Sequence, residues 1–282
     1  MKKNNPFAIV YLTVVMLLLY LPILVVVLFS FNANTGRSAT MSFTGFSLHW
    51  YQGLFDPVSG FGRQMVTSLE VAGWSVLAAS VLGTLGAVGM LRRDVRRTLA
   101  ARAVDSAYAL GEQLAMLPIM IPELILGIAF MELFTQLKLP FGKITLVLSH
   151  ISFCVPYILI TVKGRLSTLD PALGEAALDL GASPVKAFLT ITLPLVAPAI
   201  LSGALLAFAM SMDDFVISFF VTGAETTTLP LKVYSSVKVG VTPQVNALCT
   251  VMLGAAFLFV GLGQLVSSIT ENRRTHSKGG KA

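Results

Sequence analysis

The chain alternates between long apolar runs and shorter polar connections. Six apolar runs occur, at about residues 7–31, 67–91, 114–137, 144–163, 195–221 and 246–268. A helix needs about 20 apolar residues to cross the hydrocarbon core of a bilayer, and each run is close to that length or longer. The pattern therefore predicts an all-α, polytopic membrane protein with six transmembrane helices and with both termini on one side.

Composition supports this interpretation. Of the 282 residues, 55% are hydrophobic and only 12% are charged, whereas a soluble domain carries about 25% charged residues. We expect residues 1–282 to form a single transmembrane domain surrounded by lipid. The two cysteines lie in apolar runs without metal-binding spacing, which argues against a disulfide framework and a zinc site.

Lys and Arg residues are unevenly distributed between the connections. Of the 20, 14 lie in the N-terminus, in the loops 92–113 and 163–194, and in the C-terminal tail. Cytoplasmic loops are enriched in these residues, so we expect the N- and C-termini to be cytoplasmic. The net charge of +6 then reflects membrane topology rather than a nucleic-acid partner.

The 163–194 loop has the pattern of two short helices. Asp170-Pro171 is a helix start, Gly181 is placed to end that helix, and Ser183-Pro184 starts a second one. The first helix has an apolar stripe formed by Leu173, Ala176, Ala177 and Leu180. The stripe suits packing on the protein's own helices and docking to a cytoplasmic partner equally well.

Five acidic residues lie within the predicted spans: Glu70, Glu123, Glu132, Asp213 and Asp214. A charged side chain at the bilayer centre costs about 2.5–3.5 kcal/mol, so such residues are candidates for function. None has an evident basic partner inside a span, which predicts a path for cations.

The adjacent aspartates allow two interpretations. Residues 213 and 214 are about 100° apart on a helix, so both cannot point straight into one path. Alternatively, Ser211 and Asp214 have the spacing of a capping box, with the helix ending near Met212 and the aspartates capping a second short helix. The two interpretations are compatible, because broken helices often line transporter sites.

Catalytic motifs are absent from the sequence. It has no phosphate-binding loop of the G-x-x-x-x-G-K-[ST] form, no HExxH and no G-x-S-x-G. The histidines, His49, His150 and His276, are widely separated along the chain. We expect no catalytic site, no metal site and no cofactor on this chain.

The segment "EAALDLGASPVKAFLTITLP" resembles the EAA loop of permeases from type I ABC importers. The matching residues are Glu175, Ala176, Ala177, Gly181, Ile191, Leu193 and Pro194. The resemblance implies that the loop, residues 164–194, forms a coupling helix that inserts into a separate ATPase subunit. ATP and Mg²⁺ would then be bound by that partner, whose closure would drive the permease between its states.

Further segments, among them "SMDDFVISFFVTG" and "LSHISFCVPYILITVKGRL", resemble the PotC-type permeases of spermidine/putrescine importers. The resemblance implies import of polyamines across a bacterial plasma membrane. It also implies a second homologous permease, an ATPase dimer and an extracytoplasmic polyamine-binding protein. Glu123 falls where that family tends to carry an acid, whereas Glu132 matches none.

Polyamines are flexible chains with ammonium ends, so a path for them needs carboxylates and aromatic faces. The candidates are Asp213, Asp214, Glu123, Tyr157, Phe208 and Phe215, although phenylalanines here also suit packing. The alternatives are an ABC permease for another small cationic solute or metal complex and, from other classes, a cation channel or a membrane enzyme with an aspartate pair. The EAA loop argues against both other classes.

Overall fold

The computed structural model describes residues 6–33, 43–56, 61–91, 99–170, 172–240 and 242–258, and these are mainly helical. The helices are α1 (Pro6–Phe29), α2 (His49–Gln52), α3 (Gly62–Leu91), α4 (Leu99–Met120), α5 (Glu123–Gln136), α6 (Lys143–Leu166), α7 (Ala172–Asp179), α8 (Pro184–Ala187), α9 (Leu193–Asp213), α10 (Val216–Val221), α11 (Leu229–Val239) and α12 (Pro243–Leu258). In this part of the chain, β pairing is limited to one bridge between Asn32 and Phe46.

Four helical segments of the described chain are long and apolar enough to cross a membrane. They are Phe7–Phe29, Gly62–Met90, Lys143–Leu166 and Pro184–Asp213. Each overlaps one of the predicted runs. The last predicted run, 246–268, begins in α12, but its residues beyond 258 lie outside the described part, so the count of six spans stays a prediction.

The third predicted run, 114–137, is not one straight helix. Its residues fall in α4 and α5, whose apolar parts, Tyr108–Met120 and Glu123–Gln136, are bent by 107°. The break lies at Ile121-Pro122, where Pro122 has a ψ of 132°, outside the helical range. Proline lacks an N–H and disfavours the helical conformation of the residue before it, which explains the bend. The pair counts as a fifth span only if both helices belong to one crossing.

The fifth predicted run, 195–221, is also divided. Helix α9 ends at Asp213, Asp214 is extended with a ψ of 118°, and α10 begins at Val216. The capping interpretation placed this break near Met212, and α9 ends one residue later, at Asp213.

Two compact units are separable within the chain. One comprises residues 1–63 and 233–282, and the other comprises residues 64–232. In the first, the Trp50 indole N–H donates to the Asn32 carbonyl at 3.0 Å, and the Ser30 and Tyr51 hydroxyls lie 2.6 Å apart. Trp50 and Tyr51 thus fasten α2 to the segment at the end of α1.

The core of the second unit lies between α6 and α9. Ile158, Val162, Val196 and Ala207 are fully buried. The two helices approach closely at Gly203, where a Cβ would lie 2.3 Å from Thr161 Oγ1 and 3.0 Å from Ile158 Cα. The absent side chain is therefore what allows this packing.

Replacement of this glycine tests the contact. We expect Gly203→Ala to destabilise the protein by about 1–3 kcal/mol, because a backbone atom of α6 limits the relief of the overlap. The measurement is the midpoint of thermal denaturation of the purified protein. Gly89→Ala in α3 is the control, since a Cβ there meets nothing within 4 Å. Equal midpoints for the two variants would contradict the packing described.

Candidate functional site

A cavity of about 110 Å³ lies beside α6, where the break between α4 and α5 meets the break between α9 and α10. Its wall includes four polar side chains, those of Glu123, Tyr157, Asp213 and Asp214. The remainder is mostly apolar, with Phe153 from α6 and Ile217 from α10 among the contributors. Three of the five acids that the sequence placed in the membrane thus share one cavity.

The two breaks explain why the acids converge. Glu123 is the first residue of α5, directly after the proline break, and Asp213 is the last residue of α9. Helices α5 and α10 pack against each other, and a Cβ at Gly127 would lie 2.7 Å from a ring carbon of Phe220. This close contact brings the two helix breaks together.

The Asp214 carboxylate accepts hydrogen bonds from the backbone at the break between α9 and α10. Its Oδ1 accepts a hydrogen bond from the Ile217 N–H at 3.2 Å, and its Oδ2 accepts one from the Ser218 N–H at 2.8 Å. The Ser218 hydroxyl also donates to Oδ2 at 2.7 Å. The side chain is only 5% exposed. Asp214 therefore satisfies N–H groups that the start of α10 leaves without helical partners.

Asp213 and Glu123 have a different environment. Both residues are exposed. Within the part of the chain that the structure describes, neither carboxylate accepts a hydrogen bond or pairs with a basic side chain. Their charge is available to a solute in the cavity, whereas much of the hydrogen-bonding capacity of Asp214 is already used.

His150 is a polar group of the site that the sequence analysis did not connect with the aspartates. It lies in α6 and is 1% exposed. Its Nδ1 is 2.7 Å from Ser211 Oγ, and its Nε2 is 3.1 Å from Ser218 Oγ and 3.4 Å from Asp214 Oδ2. Ser211 thus bonds to His150, and the capping-box prediction is wrong about Ser211, because the cap of α10 is Asp214.

The predicted aromatic residues divide into two groups. Tyr157 lies on the cavity wall. Phe208 instead packs against the hydrophobic core, and the Phe215 ring lies 5.8 Å from that of Phe219, centroid to centroid. Neither phenylalanine is part of the cavity lining, so a role for them in a substrate path stays a prediction.

The other two membrane acids lie away from the cavity. Glu70 forms an ion pair with Lys143, a partner outside the predicted spans that the sequence analysis did not identify. Lys143 lies just before the fourth predicted run and 73 positions along the chain, so the sequence did not suggest the pair. Glu132 accepts a hydrogen bond from the Gln136 amide at 3.0 Å.

The EAA loop forms the two helices that the sequence predicted, α7 and α8. Asp170 Oδ1 accepts from the Ala172 N–H at 2.9 Å, and Ser183 Oγ accepts from the Lys186 N–H at 3.3 Å, so both predicted caps are confirmed. Gly181 has a φ of +84° and ends the first helix in the left-handed conformation. A π-helical turn, Phe188–Thr192, connects α8 to α9.

The first helix of this loop and the turn after it expose several leucines. Ala177 is buried, whereas Leu180 is 89% exposed and Leu173 and Leu178 are each 47% exposed. The stripe thus packs only in part on this chain.

No candidate metal site is found among the described residues. They contain no group of three or more His, Cys, Asp or Glu side chains that could hold an ion.

Comparison with solved structures identifies the fold. The structure is similar to a bacterial ABC transporter involved in the import of the acidic polysaccharide alginate, with a TM-score of 0.71 over 94% of this chain and 98% of that chain. At 15% sequence identity, this likeness shows the fold alone. The fold is that of the membrane component of an ABC importer.

Three relatives have a higher sequence identity to this chain than that structure has. The putrescine transport system permease protein PotI of Escherichia coli is 38% identical over 89% of this chain and 87% of its own length. The spermidine/putrescine transport system permease protein PotC is 35% identical in Haemophilus influenzae, over 91% of this chain and 95% of that protein. The E. coli PotC is 36% identical over 91% of this chain and 92% of its own length.

A family model also matches residues 112–272, and its description is "Binding-protein-dependent transport system inner membrane component". The matched range includes the cavity acids and the EAA loop. The chain belongs to this family of ABC transport permeases and is a multi-pass inner membrane protein.

The two aspartates are expected to differ in their effect on stability. Asp214→Ala removes a helix cap and leaves the Ser218 hydroxyl without its acceptor, which we expect to cost about 1–3 kcal/mol. Asp213→Ala breaks no hydrogen bond in the described structure and should stay within about 0.5 kcal/mol of the original protein. Thermal denaturation of the two purified variants measures the difference, and equal destabilisation would refute the capping role.

Proposed function

We propose that this protein is a membrane-spanning permease subunit of an ATP-driven polyamine importer and that it forms half of the translocation path. The observation that carries the proposal is the cavity between the two helix breaks. It holds three carboxylates, two of them without a partner among the described residues, and no Lys or Arg among its lining residues. A site of this kind attracts cations and repels anions.

The relatives support the choice of cation. PotI of E. coli is a putrescine permease and the PotC proteins are spermidine/putrescine permeases. Both substrates carry positive charges that suit the separated carboxylates of Glu123 and Asp213. Tyr157 adds an aromatic face, and a cation–π contact contributes about 0.5–2 kcal/mol.

Weak binding suits this role. Asp213 and Glu123 are exposed, and ion pairs between exposed groups contribute about 0–1 kcal/mol each. A transporter must release what it holds, so contacts of this size let a polyamine pass. Asp214, held by backbone groups, contributes charge to the wall.

Coupling to ATP falls, in this proposal, to the EAA loop. The exposed leucines of α7 and of the turn that follows it (Leu173, Leu178 and Leu180) are an apolar surface for a groove on an ATPase subunit. ATP and Mg²⁺ are bound by a dimer of that subunit, and this chain binds no cofactor and catalyses no reaction. The other partners are a second homologous permease and an extracytoplasmic polyamine-binding protein.

The proposed topology has cytoplasmic N- and C-termini in a bacterial plasma membrane. It rests on the concentration of Lys and Arg in the termini and in the loops 92–113 and 163–194.

Uptake of radiolabelled putrescine and spermidine tests the proposal. The permease is produced with its candidate ATPase, second permease and binding protein in cells that lack other polyamine uptake. We expect ATP-dependent accumulation of at least one polyamine. Accumulation of neither, with all four proteins present in the membrane fraction or periplasm, would refute the proposed substrate.

Removal of one carboxylate charge gives a sharper test. Asp213→Asn keeps the side-chain shape, and we expect the apparent KM for polyamine uptake to rise about two- to fivefold, because the lost ion pair contributes at most about 1 kcal/mol. Glu132→Gln is the matched control, because Glu132 is an exposed acid outside the cavity and should leave the KM unchanged. An unchanged KM for Asp213→Asn would exclude this residue from the path.

The turn of the EAA loop can be tested separately. Gly181→Val places a β-branched residue at a φ of +84°, which we expect to disturb the arrangement of α7 and α8 at a cost of about 1–2 kcal/mol. Co-purification of the ATPase and ATP-driven uptake should both fall. Gly73→Val is the control, because Gly73 lies in α3 outside this loop and a Cβ there meets nothing within 4 Å, and it should retain both. Normal uptake by Gly181→Val would contradict the docking role.

A further inference from the structure

His150 lies in a chain of buried hydrogen bonds whose directions can be assigned from chemistry. The Asp214 carboxylate only accepts, so the Ser218 hydroxyl, 2.7 Å away, donates its one hydrogen to Oδ2. The Ser218 oxygen then accepts from His150 Nε2 at 3.1 Å, which requires a hydrogen on Nε2. This fixes one of the two ring nitrogens as a donor.

The other ring nitrogen faces Ser211. The distance from Nδ1 to Ser211 Oγ is 2.7 Å, and Ser211 Oγ has no second hydrogen-bond partner in the described structure. If Nδ1 also carried a hydrogen, the Ser211 hydroxyl would have no acceptor for its own. The arrangement that satisfies every group is a neutral imidazole with its hydrogen on Nε2.

We propose that neutral His150, in its Nε2–H tautomer, is a positioning residue for the substrate-path carboxylates. It holds Asp214 through Ser218 and the end of α9 through Ser211, and thereby fixes the helix break that presents Asp213 to the cavity. Because a neutral ring adds no positive charge, the cavity keeps the charge of all three acids. This inference rests on the proposed function for its effect on transport, but not for the tautomer.

Two substitutions separate positioning from packing. The amide nitrogen of glutamine reaches the place of Nε2, whereas asparagine can replace only the Nδ1 side of the ring. We expect His150→Gln to keep the KM for putrescine or spermidine uptake within about threefold and His150→Asn to raise it about tenfold, at equal amounts of protein in the membrane. A merely structural role would lower the amount of folded protein and leave the KM unchanged.

The tautomer is measured without substrate. Nitrogen NMR of the full-length protein with isotope-labelled histidine, with His150→Gln used to assign the signal, should show a neutral ring protonated at Nε2. An imidazolium or an Nδ1–H ring would overturn the inference, as would equal KM values for the two variants. If the original protein takes up no polyamine but the ring has the expected tautomer, the proposed substrate is wrong and the positioning of Asp214 stands.

Discussion

The interruption of the apolar helix after Asp213 is the constraint on which the rest of the site depends. A backbone break at this place frees N–H groups, and lipid offers them no hydrogen-bond partner. Asp214 accepts from two of these groups, at the N–H of Ile217 and of Ser218. The carboxylate is thereby partly compensated for its burial, and α10 can begin directly after the break.

A second interruption, between α4 and α5, brings a further acid to the cavity beside Asp213 and Asp214. Pro122 ends α4, and α5 leaves at a bend of 107°. The helices that follow the two breaks, α5 and α10, pack together at Gly127 and bring Glu123 to the same cavity as the aspartates. One break supplies Glu123 and the other supplies Asp213 and Asp214, so the wall with three acidic side chains needs both.

Features that depend on residues close together along the chain could be predicted from the sequence. The caps of α7 and α8 follow from Asp170 and Ser183, and the division of the fifth run follows from its aspartates. What it could not reveal depends on which helices pack together. His150 meets Ser211 and Ser218 only because α6 packs beside α9 and α10, and each partner is more than 60 positions away. The bend at Pro122 also had a local signal, the proline itself, but the length of the apolar run favoured a straight span.

The helical segment Pro184–Asp213 joins the cavity to the EAA loop. From Pro184 to Asp213 the chain is helical for 30 residues, about 45 Å at 1.5 Å per residue, with one π turn at Phe188–Thr192. Gly203 fixes this helix tightly against α6, so it cannot bend freely at that point. In the proposed coupling, a displacement of α7 and α8 by the ATPase subunit would reach Asp213 as movement of one continuous helix, except where the π turn absorbs it. Asp213, whose carboxylate has no hydrogen-bond or ion-pair partner among the described residues, stands at the far end of that helix.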